Sequence, residues 1–217
     1  MKQNAKRSWS RRRKPVQQRS RVTVDAMLDA AVKLLRRGGA AAITTNRIAE
    51  TAGVSIGSVY QYFPNKHALF VALHERHISI VDAVMRRRLE ECAESSLQRL
   101  VESLLDGMVE AHAADPELSE LLQSEVPHRA DGSVEFSIRY HSVFRAALAQ
   151  RLAPPARKLD FDIHAFLLAN LIDALGHALV LRRPRRVSLA RAKRACSRAI
   201  LACLASLSTA VPPPDTP

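Results

Sequence analysis

The amino-acid sequence predicts an all-α protein, in which an N-terminal three-helix domain with a helix-turn-helix precedes a larger helical domain. Apolar residues recur every three or four positions in most segments, which is the period of an amphipathic helix. Prolines and glycines separate these segments, and none shows the polar–apolar alternation of a half-buried strand. The chain has 217 residues, 47% of them apolar, which is sufficient for one large domain or two small ones.

The first helix is predicted to begin near Thr23 and to end at Gly38-Gly39, where glycine tolerates a left-handed cap. Residues 1–20 are polar and basic without a periodic apolar face, so we expect a disordered arm that becomes partly ordered on DNA. The net charge of the chain is +12, and residues 2–21 hold nine positive charges and no acid. Such arms bind nucleic acid phosphates or an acidic membrane surface.

Residues 43–66 have the pattern of two short helices joined at Gly53. Ala49 is small enough for a close helix contact, Gly53 permits a positive φ at the turn, and Val59 anchors the second helix. Outward-facing side chains of the second helix would enter a DNA major groove. This pattern predicts a DNA-binding helix-turn-helix, and it favours nucleic acid as the partner of the basic arm.

These residues resemble the DNA-binding region of the TetR family of bacterial regulators. The matching positions are Ile48-Ala49, Gly53-Val54-Ser55, Gly57, Tyr60-Gln61-Tyr62-Phe63 and Lys66, with the helix of residues 21–39 before them. The resemblance covers residues 20–70 in detail. It implies a homodimeric transcriptional repressor that releases a palindromic operator in double-stranded DNA when a small-molecule effector, here unknown, enters the helical body.

Candidate DNA contacts come partly from side-chain chemistry and partly from that resemblance. Ser55 is placed to cap the second helix of the motif, and Gly57 leaves room for DNA to approach it. Thr45 and Arg47 have side chains suited to contact phosphates. Ser58 and Gln61 are candidates for base edges, because glutamine can bond adenine in bidentate fashion. Three phosphate contacts are implied by the resemblance: Tyr60, Tyr62 and Lys66. The alternative for each tyrosine is packing in the core.

Two arginines at the end of the basic arm complete the set, Arg19 and Arg21. Either one can enter an adjacent minor groove, or the arm can attract phosphates without sequence preference.

Beyond the helix-turn-helix, proline and glycine breaks separate further helices. The predicted ranges are about 66–93, 96–114, 116–125, 134–152, 161–181 and 188–209. The last two helices are expected to form a four-helix dimer interface with a second subunit. Candidate interface residues are Leu168, Ile172, Leu175, Cys196, Ala199, Cys203 and Leu207.

Polar residues on the apolar helices are candidates for effector binding, with a satisfied core or surface role as the alternative. These residues are His112, His164, Asn170, Asp173 and His177. Asn170, Asp173 and His177 are predicted to share one side of a helix. Few aromatic residues occur in the body, which favours an aliphatic or weakly polar effector.

Other kinds of site find little support in the sequence. His67, His74 and His77 lie near one side of a helix but without the spacing of a zinc motif, so no metal and no cofactor is predicted. No nucleophile elbow, P-loop or dinucleotide fingerprint occurs, and we expect no enzyme activity. Three cysteines without a CxxC pair are expected to be reduced.

No apolar run reaches the roughly 18–20 residues of a membrane span, which predicts a cytoplasmic protein without membrane contact. The expected domains are a disordered basic arm (1–20), a DNA-binding domain (21–66), an effector-binding and dimerisation domain (67–210) and a flexible tail (211–217). A constitutive or architectural DNA-binding protein without an effector pocket is the alternative function. An enzyme with an attached DNA reader would need a catalytic motif in residues 95–210, and activation of transcription remains open beside repression.

Overall fold

The computed structural model describes residues 18–125, 132–152 and 160–208, and these residues contain only helices and the turns between them. The α-helices are α1 Gln18–Gly38, α2 Thr45–Ala52, α3 Ile56–Tyr62, α4 Lys66–Glu91, α5 Leu97–Ala113, α6 Pro116–Glu125, α7 Gly132–Arg151, α8 Phe161–His177 and α9 Leu189–Ser208. A 3₁₀ turn, Ala40–Ala42, follows α1, and a π-helical turn, Ala178–Arg182, extends α8. The predicted all-α class is confirmed.

The backbone contacts divide the chain into two compact units. Unit 1 comprises Met1–Ile78 and Glu117–Ala130, and unit 2 comprises Ser79–Pro116 and Asp131–Pro217. The division falls inside α4 and assigns most of α6 to unit 1, whereas the sequence-based limit was drawn at residue 66. The domain boundaries expected from the sequence separate regions by function rather than by backbone contacts, so they stay predictions.

Unit 1 is built around the apolar face of α1. Its buried side chains include Met27, Leu28, Ala31, Leu34 and Leu35, which recur at helical spacing along one face. They pack with apolar side chains from α2, α3, the first half of α4, and α6 in one core. The α6 contribution is Leu118, Leu121 and Leu122.

The beginning of α1 differs from the prediction. The helix begins at Gln18 rather than near Thr23, so residues 18–20 are helical and do not belong to a disordered arm. Arginine has good intrinsic helix propensity, and a first turn needs no apolar face of its own to form. Residues 1–17, the rest of the predicted arm, lie outside the described residues.

Local capping fixes the helix-turn-helix as the sequence predicts. Gly53 has φ 67° and ψ 33°, the left-handed conformation that ends α2. At the start of α3, the Ser55 hydroxyl accepts a hydrogen bond of 3.0 Å from the Ser58 amide. The α4 helix begins in the same way, because the Asn65 side-chain oxygen accepts a bond of 2.8 Å from the amide of Ala68.

Unit 2 packs α5, α7, α8 and α9 around one apolar core. Fully buried members are Leu100, Leu104, Phe144, Leu148, Leu168, Ile172, Ile200 and Leu204. The contact between α5 and α8 is especially close at Gly176, where a Cβ atom would lie 2.5 Å from the Cβ of Met108. Glycine is therefore required there by the approach of the two helices.

A charged cluster on unit 2 joins the second half of α4 to α5. Arg88 and Arg87 each donate a 2.6 Å hydrogen bond to the Glu110 carboxylate. These two hydrogen bonds, with Arg88 the larger cause, lower the pKa of Glu110 below its ordinary value. The side chain of Glu110 is 42% exposed, so solvent screens the cluster and limits its contribution to stability.

The expectation that no apolar run reaches membrane-span length concerns uninterrupted runs, whereas one helix of the body meets a test of length and average composition. The continuous helix Phe161–Arg182 is long and apolar enough to cross a membrane by length and composition alone, with a mean hydropathy of 1.6. Its polar residues interrupt the apolar run without outweighing the many leucines and alanines around them. A helix buried in a protein core passes the same test, and Leu168 and Ile172 on this helix are fully buried in unit 2.

Candidate nucleic-acid interface

The second helix of the helix-turn-helix, α3, has an inner and an outer face. Val59 and Tyr62 are buried in the core of unit 1. With about 3.6 residues per turn, the opposite direction falls on Gly57, flanked by Tyr60 on one side and Gln61 on the other. All three of these residues are exposed. The outer face therefore presents backbone at its centre and side chains at its edges.

Gly57 lies at the centre of this face, and no neighbouring atom in the protein excludes a side chain at its position. A Cβ atom at this position would meet no neighbour nearer than the Ser55 hydroxyl, at 3.8 Å. The residue lies within the helix and its φ is not positive, so alanine would fit the backbone as well. Glycine within a helix is less stable than alanine by about 0.5–1 kcal/mol. The fold alone gives no reason for glycine here.

Two serine hydroxyl groups at the start of α3 form a hydrogen bond with each other. The Ser55 and Ser58 oxygens lie 2.8 Å apart, in addition to the capping bond from the Ser58 amide. Ser55 is exposed and Ser58 is half-buried. The predicted capping role of Ser55 is confirmed, whereas base contact by Ser58 stays a prediction.

Tyr60 joins the two helices of the motif at the surface. Its ring is 50% exposed, and its hydroxyl lies 3.4 Å from the Thr45 hydroxyl at the start of α2. Arg47, on the first turn of α2, is exposed. The capping residue of α2 is Thr44, which accepts from the Arg47 amide at 3.3 Å. Thr45 and Tyr60 thus lie at one surface, where their hydroxyl groups suit phosphate oxygens. Phosphate contact by Arg47 stays a prediction.

Tyr62, unlike Tyr60, is not exposed at the surface. Only 9% of it is exposed, and the side chain packs in the core of unit 1. The predicted phosphate contact is therefore corrected to the packing alternative. Positions 59 and 62 lie three residues apart on one side of a helix, so both side chains face inward.

Lys66 and the two basic residues of α1 have different surroundings. The Lys66 ammonium donates a 2.9 Å hydrogen bond to the Ala40 carbonyl and lies 5.2 Å from the centre of the Phe70 ring. Arg21 is exposed on α1. The backbone of Arg19 also belongs to α1, which corrects its assignment to a disordered arm, and its side chain lies outside the described residues.

The sequence motif does not mark Ile56, the first residue of α3, as a candidate surface residue. Its side chain is 47% exposed although isoleucine is strongly apolar. It lies one turn before Tyr60, so both side chains occupy the same edge of the outer face. The signal in the sequence was an isoleucine at a position directly after a capping serine, where the helix has not yet reached its buried side.

Three of the five effector candidates meet inside unit 2. The rings of His112 and His177 have centroids 4.1 Å apart. His177 Nδ1 lies 3.5 Å from a carboxylate oxygen of Asp173. His112 is buried in α5, and the other two residues are half-buried on α8. The structure thus brings the two helices together through a polar contact within an apolar core.

The two remaining candidates lie elsewhere. His164 is 1% exposed; its Nδ1 donates to the Asp160 carbonyl at 2.6 Å, and its Nε2 has no hydrogen-bond partner among the described residues. Asn170 is exposed, and its amide donates to the Phe166 carbonyl one turn earlier at 2.7 Å. Asn170 is therefore a surface residue in a single chain, and the interpretation that it lines an interior site is wrong.

The candidate interface residues also divide. Leu168 and Ile172 are fully buried within unit 2, so their side chains have no surface left for a partner, and that prediction is corrected. Leu175, Cys196 and Cys203 are half-buried and Ala199 is exposed. Leu207 lies on α9, but its side chain is outside the described residues. Burial raises the pKa of the Cys196 thiol.

The exposed faces of α8 and α9 contain the candidate Ala199 together with residues that the sequence pattern does not single out. On α8, Ile163 and Phe166 are 48% and 55% exposed. On α9, the exposed positions include the small residues Ala195, Ala199 and Ala202. Helical periodicity predicted broad apolar faces correctly, but it does not show which part of each face is covered by the same chain.

A short helix that presents its backbone and polar side chains outward, held by a second helix across a left-handed glycine turn, defines a helix-turn-helix DNA-binding protein. Residues 27–73 match the model described as "Bacterial regulatory proteins, tetR family". Residues 96–204 match the model described as "Tetracyclin repressor-like, C-terminal domain". The chain belongs to the TetR family of DNA-binding transcription regulators.

The similar proteins include regulators of different kinds. The chain is 31% identical over 96 residues to the HTH-type transcriptional repressor KstR of Rhodococcus jostii, covering 44% of this chain and 43% of that protein. It is 31% identical over 65 residues to the nucleoid occlusion factor SlmA of Glaesserella parasuis, covering 30% of this chain and 32% of that protein. The chain thus spans less than half the length of these curated relatives.

A solved structure extends the similarity to the whole fold. This is the transcriptional regulator FadR of Bacillus subtilis in complex with stearoyl-CoA, at 20% identity and a TM-score of 0.56. The match covers 84% of this chain and 97% of that chain. At this identity the likeness shows the fold alone.

Proposed function

We propose that the chain is a homodimeric transcriptional repressor that binds a palindromic operator and releases it when a small molecule binds within unit 2. The observation that carries the DNA-binding part is Gly57 at the centre of the exposed face of α3. A glycine that the fold does not need is explained by close approach of a ligand to the backbone. Double-stranded DNA is the ligand that a helix of this family meets.

The dimer follows from the exposed faces of α8 and α9. Ile163 and Phe166 are large apolar side chains exposed on α8, and α9 exposes a row of alanines. Small residues permit close helix approach, and large neighbouring side chains supply the buried area. Pairing these faces about a two-fold axis presents two reading helices, which would contact half-sites about 34–36 Å apart or a multiple of that spacing.

The effector part is supported by buried polar atoms in unit 2. Nδ1 of His164 donates to the Asp160 carbonyl, so in the neutral imidazole Nε2 is a hydrogen-bond acceptor. A buried acceptor without a partner costs about 1–3 kcal/mol, and a ligand donor would remove that cost. The B. subtilis FadR complex makes acyl-CoA compounds reasonable first ligands to test.

The first experiment selects duplexes from a random DNA pool with the full chain at about 150 mM salt, where nonspecific phosphate binding is weak. The proposal expects an enriched palindrome, bound by a dimer in sedimentation analysis. Gln61→Ala should change the selected sequence, whereas Gln150→Ala, the same change at an exposed position of α7, should not. A featureless pool would contradict the proposal.

A ligand screen by thermal shift then separates the repressor from its alternative. A ligand that binds the folded state raises the melting temperature by mass action. It should also release the selected operator, and His164→Asn should abolish that release while leaving operator affinity unchanged. The alternative is a DNA-binding protein without an effector, and it is kept because the relative SlmA is named a nucleoid occlusion factor rather than a transcription regulator. A screen in which no ligand raises the melting temperature would support this alternative.

Repression itself needs a reporter. A promoter that carries the selected operator should be weaker in the presence of the chain, and a stronger promoter would indicate an activator instead.

A further inference from the structure

Ile56, at one edge of the α3 outer face, has no role in the contacts described so far. Ile56 is 47% exposed at the first position of α3, and Tyr60 is 50% exposed one turn later. Val59 and Tyr62 already fill the inner face, so Ile56 is not needed to close the core. A single exposed apolar residue on a protein surface is ordinary. The position of this one, beside Gly57 on the surface that faces DNA in the proposed function, is not ordinary.

Only one base offers an apolar group in the major groove. Thymine carries a C5-methyl group there, while the other base edges present hydrogen-bond donors and acceptors. An isoleucine has neither donor nor acceptor, so it discriminates among bases only through such contact. The neighbouring ring of Tyr60 is steadied by the Thr45 hydroxyl at 3.4 Å and extends the same apolar edge.

We infer that Ile56 is a specificity-determining residue that recognises a thymine in each half-site through its C5-methyl group. This inference rests on the proposed DNA-binding function. Gln61, on the other edge of the same face, is the residue suited to polar base recognition. One edge of the α3 outer face would thus recognise bases through apolar contacts, and the other edge through polar contacts.

The test replaces thymine by uracil, which differs only by the missing methyl group. The full chain is titrated against the duplex selected from the random pool, with each symmetric pair of thymines replaced in turn. At one pair, wild-type affinity should fall about fourfold per methyl group and about fifteenfold for both half-sites. The Ile56→Ala variant should bind the thymine and uracil duplexes equally at that pair.

Two control variants isolate the effect. Ile80→Ala removes an isoleucine of similar exposure, 51%, from α4, and it should keep the full preference for thymine. Gln61→Ala should weaken operator binding and still keep that preference. Circular dichroism of Ile56→Ala, together with a partial preference in Ile56→Val, shows that the loss does not come from unfolding.

The outcomes separate the two levels of the argument. An enriched palindrome whose uracil substitutions act equally on wild type and Ile56→Ala would overturn this inference alone. A palindrome with no dependence on any thymine methyl would do the same. Failure to enrich any sequence would overturn the inference together with the proposed function.

Discussion

Replacing Gly57 by alanine should make the protein more stable and a weaker DNA binder. The added Cβ meets nothing nearer than 3.8 Å in the free protein, so the fold accepts it without strain. Removing a glycine from a helix then stabilises the folded state by about 0.5–1 kcal/mol. On the DNA side, a methyl group forced into a packed contact costs about 1–3 kcal/mol, which is about 5–150-fold in affinity for each reading helix.

The assay pairs urea unfolding with fluorescence anisotropy on the selected operator. Gly53→Ala provides a matched control, because the same change at φ 67° should destabilise the protein. An alanine at 57 that leaves operator affinity unchanged would refute the reasoning, since the centre of the outer face would then not approach DNA. A fall in stability would refute the claim that the fold has room for the side chain.

Three further predictions concern other parts of the chain. Lys66→Ala should weaken binding to all DNA sequences alike, because its ammonium, now on the Ala40 carbonyl, can move to a phosphate. The salt slope, measured by titration at several salt concentrations, should fall by about one per subunit and about two for the proposed dimer. Gly176→Ala should destabilise the protein by about 1–3 kcal/mol in urea, because the new Cβ would lie 2.5 Å from Met108; unchanged stability would show that the two helices separate easily. The lowered pKa of Glu110 means that its contribution to stability is complete above the ordinary value of 4.5 and is lost as pH falls through the lower folded-state value. Wild type should therefore be slightly more stable than Glu110→Gln at pH 7, and the difference should vanish in acid; a difference that grows in acid would contradict the assigned direction.

Local chemistry explains what the sequence predicts well. Gly53 and Ser55 are each predicted to fix a helix end through their own conformation or side chain, and both do so in the structure, as Asn65 does at the start of α4. Helix ends in the body fall within about two residues of the prediction, apart from α8, whose α-helical part ends at His177 before the π-helical turn. The residues that begin and end a helix lie close together in the chain, so helix ends can be predicted from a single sequence.

The errors come from contacts between distant segments. Leu168 and Ile172 were assigned to a partner subunit because periodicity shows that a face is apolar, and it does not show whether the same chain covers that face. Tyr62 has both an apolar ring and a polar tip, so its chemistry fits either role and packing decides. Ile56 was missed because its exposure depends on how α3 lies against the rest of unit 1.

The α6 contribution to unit 1 has a consequence for how the protein is made. Leu118, Leu121 and Leu122 complete a core whose other members lie before Ile78, and α5 intervenes between the two parts. During synthesis, the DNA-binding unit therefore cannot finish folding when its helix-turn-helix leaves the ribosome. It must wait for about forty more residues, and a fragment that stops at Ile78 would expose apolar surface that the full chain covers.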